Sequence, residues 1–136
     1  MAKIYEDFQR LRMEYQYDTL KGSGDPGEKE RLMYFSDEFT MLYGLIRPHC
    51  SIVYGLRTKH DDKACSAFKA RIARNLQAKE PKLSWNKATE FAAATEEYKE
   101  FLEQRIVHYQ NWDSISHLKD SIKQYVINIG MRVNNL

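Results

Sequence analysis

Leu32, Phe35, Phe39, Leu42, Ile46, His49, Val53 and Leu56 succeed one another at steps of three and four without a slip. At about 100° per residue, that spacing holds every one of these side chains on one side of an α-helix. No strand can carry such a pattern, because its side chains change face at every step. The spacing predicts one helix over about 28–58 and an apolar seam that another helix must cover. Pro48 falls inside the series. Its ring removes an amide hydrogen and crowds the carbonyl one turn back. The phase survives across it, so the expectation is a kink and not a break.

The rest of the chain follows the same period. Ile4, Phe8, Leu11 and Tyr15 predict an amphipathic helix over 1–20. "KGSGDPG", residues 21–27, should end it, with three of the chain's six glycines and one of its three prolines. Gly22-x-Gly24-x-x-Gly27 formally matches a dinucleotide-binding fingerprint. That fingerprint needs a strand before it and a free helix amide terminus, whereas this one follows a helix and carries Asp25 inside, so a turn is expected. A further helix is predicted over 62–79, with Asp61 or Asp62 as its cap, and Pro81 should close it. Ser84 and Thr95 have the chemistry of N-caps for a short helix and for a long last one over 96–133. In that last helix Phe101, His108, Ile115, Ile122 and Ile129 recur every seventh residue. The expected fold is all-α: a single domain over 1–136, an elongated helical hairpin or bundle with long heptad-like helices. A thin hairpin could not hide so much apolar surface. Phe35, Phe39, Leu42, Ile115, Ile122 and Ile129 are therefore expected at the interface of a homo-oligomer.

Charge supplies the functional lead. The net charge is +2, but residues 57–87 hold nine Lys/Arg (Arg57, Lys59, Lys63, Lys69, Arg71, Arg74, Lys79, Lys82, Lys87) against three acids, a balance of +6. The segments on either side each carry −2. Positive charge gathered in one segment of a mildly acidic chain is the pattern of a polyanion footprint. Within "FKARIARNLQAK", residues 68–79, Phe68, Ile72 and Leu76 fall at roughly 0°, 40° and 80° on a helical wheel. Lys63, Arg74 and Arg71 fall at roughly 220°, 240° and 300°, away from that stripe. Lys69 sits on the margin of the stripe and could reach outward by extending its stem. The expected contacts to phosphate are Lys63, Lys69, Arg71 and Arg74, with Lys82 and Lys87 as outer contacts. Trp85, His60 and Tyr54 are candidates for stacking on unpaired bases.

The Phe-Lys-Ala-Arg of residues 68–71 resembles the Leu-Lys-Ala-Arg segment of the UvsY family of phage recombination mediators. "LMYFSDEF" (32–39) resembles that family's upstream helix, and the region from "AAATEEYKEF" to "QYVINI" its capped and closing helices. The resemblance spans roughly residues 28–129 and is carried by the order and sizes of the elements. It implies a ring-like homo-oligomer that binds single-stranded DNA, loads a recombinase and displaces a single-strand-binding protein. Lys69 and Arg71 would then contribute to DNA binding, and a phage-encoded chain would work in the bacterial host cytoplasm. The N-terminal helix and the "KGSGDPG" turn depart from the family's pattern.

Other functions find less support. The four histidines fit no nucleophile arrangement, and no paired-carboxylate pattern stands out. His49, Cys50, His60 and Cys65 lack the spacing of a zinc site. No enzyme activity, cofactor or metal is expected, and two cysteines fit a reduced, cytoplasmic setting. No apolar run has the length of a membrane span or of a signal peptide's middle. The rival to nucleic-acid binding is a helical adaptor whose basic segment meets an acidic patch on a protein.

Overall fold

The structure, a computed structural model, describes residues 1–20, 24 and 26–136. The described residues form five helices: α1 (Ala2–Thr19), α2 (Glu28–Thr58), α3 (Asp62–Lys79), α4 (Trp85–Ala93) and α5 (Glu96–Asn134). No strand occurs among the described residues. Residues 21–23 and 25 of the expected turn, including Gly22 and Asp25 of the fingerprint comparison, lie outside them. Gly24 takes φ 90°, which a side chain would resist, and its amide donates to the Glu28 carboxylate at 2.8 Å. Helix α2 runs through Pro48 unbroken. The residue four before it, whose carbonyl loses its amide partner, is Gly44.

The chain divides into two compact units, and α2 and α5 each contribute to both. The first comprises Met1–Ile52 and Ser114–Leu136. Its core takes Ile4, Phe8 and Leu11 from α1, Leu32, Phe35, Phe39, Leu42 and Ile46 from α2, and Ile115, Ile122 and Ile129 from α5. Phe39 stacks on Tyr125 at 4.8 Å between ring centroids, and Phe8 meets both rings edge-on at 6.2 and 5.7 Å. Tyr15 closes the cluster against Phe35 at 5.3 Å, and Arg132 donates a hydrogen bond to its hydroxyl. Aromatic pairs in these geometries contribute about 0.5–1.5 kcal/mol each beyond their buried area. Arg31 donates to Asp18 at 2.8 Å, joining α2 to α1.

This packing corrects the reason given for an oligomer interface. Phe35, Phe39, Leu42, Ile115, Ile122 and Ile129 are all buried within a single chain. Helix α1 supplies the third wall that the hairpin expectation lacked. The seam needs no second copy to cover it.

The second unit, Val53–Asp113, holds the ends of α2 and α5 with all of α3 and α4. Its core is Ile72, Ala73, Ala88 and Ala92, surrounded by Phe68, Leu76, Leu83 and Tyr98. Three buried alanines let α3 and α4 approach closely, and Gln77 pins the loop between them by donating to the Leu83 carbonyl at 3.1 Å. The caps form where the sequence places Asp, Ser and Thr: Asp61 accepts from the Ala64 amide, Ser84 from Lys87 and Thr95 from Tyr98. Asp61→Ala should cost about 1 kcal/mol, read as a lower midpoint in urea unfolding with the slope unchanged.

Candidate nucleic-acid interface

The position of the basic residues follows from what α3 buries. Its apolar stripe is held by α5, where Phe68 stacks on Phe101 at 4.4 Å and lies 6.5 Å from Tyr98. Ile72 and Ala73 face α4 in the core. The opposite face is exposed and carries Lys63, Arg71 and Arg74, with Ala67 and Ala78 beside them. Small neighbours leave the charged groups unobstructed.

The six expected contacts divide into groups. Lys63, Arg74 and Lys82 are exposed and make no ion pair or hydrogen bond among the described residues. Arg71 is exposed and lies over the edge of the packed stripe, its guanidinium 4.8 Å from the Phe68 ring centre. Lys69 is half-buried with its ammonium 5.9 Å from the Tyr98 ring, a packing position more than a free contact. Lys87 is exposed but pairs with Glu90 at 3.6 Å. An exposed pair of this kind is weak and opens readily.

The acids at the start of α3 leave the basic face alone. Asp61 is committed to its cap. Asp62 pairs with Arg105 of α5 at 2.9 Å, and the same guanidinium donates to the His60 carbonyl at 2.8 Å and to the Cys65 sulfur at 3.3 Å. The hydrogen bonds to Cys65 and Asp62 hold the Arg105 pKa above its ordinary value. Arg105 was invisible to the sequence reading as a site-shaping residue. It is a lone cation in a long helix, and only the fold brings it to α3. Arg57 and Arg105 also flank Tyr109, at 4.4 and 4.5 Å from its ring centre.

Of the three stacking candidates, Trp85 is exposed and lies between Lys82 and Lys87 in the sequence. His60 is occupied, stacked on Phe101 at 4.8 Å and tilted against His108 at 4.5 Å, with Nδ1 3.0 Å from the Leu56 carbonyl oxygen. Tyr54 is half-exposed and packs edge-on against Trp112 at 5.0 Å. Trp85 alone is both free and near lysines.

The beginning of α5 has the contrary charge. Glu97, Glu100 and Glu103 line an open depression of about 330 Å³ with Phe68 and Phe101. A polyanion is repelled there, and the depression shares Phe68 with Arg71, whose guanidinium lies over that ring. Neither free cysteine lies on that face, and burial pushes the Cys50 thiol up, toward its protonated form. Among the described residues no group of three or more His, Cys, Asp or Glu could hold a metal ion, and no helix is long and apolar enough to cross a membrane. The chain matches no protein-family model, no curated protein and no solved structure.

Proposed function

We propose that the chain binds single-stranded DNA through the exposed face of α3, mainly by contacts to phosphate. The observation that carries this reading is the one-signed face of Lys63, Arg71 and Arg74, which bears no acid, while the acids that open α3 are engaged, Asp61 by the helix cap and Asp62 by Arg105. Lys82, exposed between α3 and α4, would add a further cation, and Trp85 is an exposed ring suited to stacking on an unpaired base. Among the described residues no recognisable element that reads duplex base edges accompanies this surface, so the reading is one of backbone contact and stacking. The resemblance of residues 28–129 to the UvsY family extends the proposal. The bound strand would be handed to a recombinase as single-strand-binding protein leaves, with more than one copy of the chain acting together. Several copies would hold a strand by many weak contacts at high effective concentration.

The direct test is fluorescence titration with an unlabelled oligonucleotide at several salt concentrations. Single-stranded DNA should quench Trp85, and log affinity should fall linearly with log salt at about −0.7 per phosphate contact. Trp112→Phe should keep the quenching. An affinity that ignores salt would refute the phosphate reading.

A further inference from the structure

Where the end of α2 meets α5 in the second unit, aromatic rings and arginines alternate. Tyr54 and Arg57 lie three residues apart on α2, and Arg105, Tyr109 and Trp112 follow at steps of four and three on α5. That spacing lines up each set along one side of its helix. The two rows meet. Tyr54 packs edge-on against Trp112 at 5.0 Å, and the Arg57 guanidinium lies 4.4 Å from the Tyr109 ring centre and 5.8 Å from that of Tyr54. Arg105 approaches Tyr109 at 4.5 Å.

Two guanidiniums thus share one ring, and their partners differ. Arg105 commits its donors to Asp62, the His60 carbonyl and the Cys65 sulfur. Arg57 is half-buried, yet it makes no ion pair or hydrogen bond among the described residues. Its nitrogens stay open to solvent. The acids nearby do not compensate it. Asp62 belongs to Arg105, and Asp113, one turn beyond Tyr109 on α5, is exposed and forms no ion pair among the described residues. A guanidinium positioned by aromatic rings, with its donor fork uncommitted, is suited to a phosphate oxygen.

We infer that Arg57 is a further phosphate contact for a bound single strand and that Tyr54 carries the base of that nucleotide. This extends the nucleic-acid reading, on which it rests, from α3 onto the end of α2. Continuity supports the extension. Arg105 joins the cluster to the first turn of α3 through Asp62, and Lys63, the next residue, opens the basic face. Tyr54 is 49% exposed, enough ring for a base to stack on, and Arg57 beside it is within reach of that base's phosphate.

The two tryptophans separate the two parts of the strand's path. In Trp85→Phe the remaining indole, Trp112, touches Tyr54, so its emission should change on titration with an oligothymidylate of about 15 nucleotides. Arg57→Ala should weaken binding about fivefold near 0.1 M salt and make the slope of log affinity against log salt shallower by about 0.7. Arg57→Lys keeps the charge and should keep the slope. Tyr54→Ala should weaken binding with the slope unchanged, because stacking releases no counterions. If Arg57→Ala does not fold, Arg57→Gln, which keeps a planar group over Tyr109, gives the same readout. A purely structural Arg57 would lower the melting temperature and leave the salt slope unmoved, and that result overturns the inference even where affinity falls. So does Arg57→Lys with the shallower slope of Arg57→Ala. Arg71→Ala with Arg74→Ala then decides whether the α3 face binds without Arg57. A Trp112 emission that stays constant at saturating DNA removes Tyr54 as the base platform. A wild type that binds no single-stranded DNA overturns this contact together with the reading it rests on.

Discussion

Phe39→Ala will lower the stability of the chain by about 3–5 kcal/mol, the largest loss expected from any single truncation in the first unit. The side chain is fully buried and touches three other rings, stacking on Tyr125 and meeting Phe8 and Tyr15 edge-on. Truncation removes its transfer free energy and leaves a cavity bounded by α1, α2 and α5, none of which can collapse without dragging its neighbours. The melting temperature should fall by about 10–20 °C in a circular dichroism melt. Phe39→Asp should abolish folding, because a carboxylate there has no partner. The same measurement separates core from interface. A purely interfacial Phe39 would, on truncation, change the sedimentation coefficient and leave the melt of the dilute protein alone. By contrast, Met41→Ala, two residues along and exposed, should shift stability by no more than about 0.5 kcal/mol.

The contrast between Phe39 and Met41 shows what the sequence could and could not disclose. The run from Leu32 to Leu56 announced its helix because burial selects one side of a helix at steps of three and four. Asp61, Ser84 and Thr95 announced helix starts because their oxygens can satisfy amides that the helix leaves open. Periodicity does not say which helix covers a seam. Ile115, Ile122 and Ile129 would repeat every seventh residue whether they met α1 and α2 of their own chain or another copy. The exposed side of α2 was hidden for a related reason. Tyr34, Met41, Leu45 and Ile52 lie among the stronger buried positions, and only their exposure sets them apart. At the basic helix the wheel separated Lys63, Arg71 and Arg74 from the packed stripe. It left Lys69 at the margin, where Tyr98 of α5 takes it up. The part played by Arg105 depends on a contact across 43 residues to Asp62, which no local pattern encodes.

Arg71→Ala with Arg74→Ala will weaken binding of single-stranded DNA about tenfold or more near 0.1 M salt. Two lost phosphate contacts should also make the slope of log affinity against log salt shallower by about 1.4. The slope is the more telling readout, because a variant that merely misfolds loses active protein without changing how the remainder responds to salt. Both side chains are exposed, and Arg71 gives up only its contact with the Phe68 ring, so the melt should move little. Lys87→Ala supplies the comparison: a lysine already facing Glu90 contributes a weaker field to a bound strand, and its loss should change affinity less than either arginine. Lys69→Ala discriminates more sharply. If the Lys-Ala-Arg segment acts as the UvsY resemblance implies, Lys69→Ala should cost as much as Arg71→Ala. If its place against Tyr98 governs, the loss should be smaller and should come with a small drop in stability. A double arginine variant that binds as tightly as wild type, with the same salt slope, removes α3 from the site. A wild type that shows no binding at low salt hands the basic face to the adaptor reading, in which an acidic protein surface takes the place of phosphate.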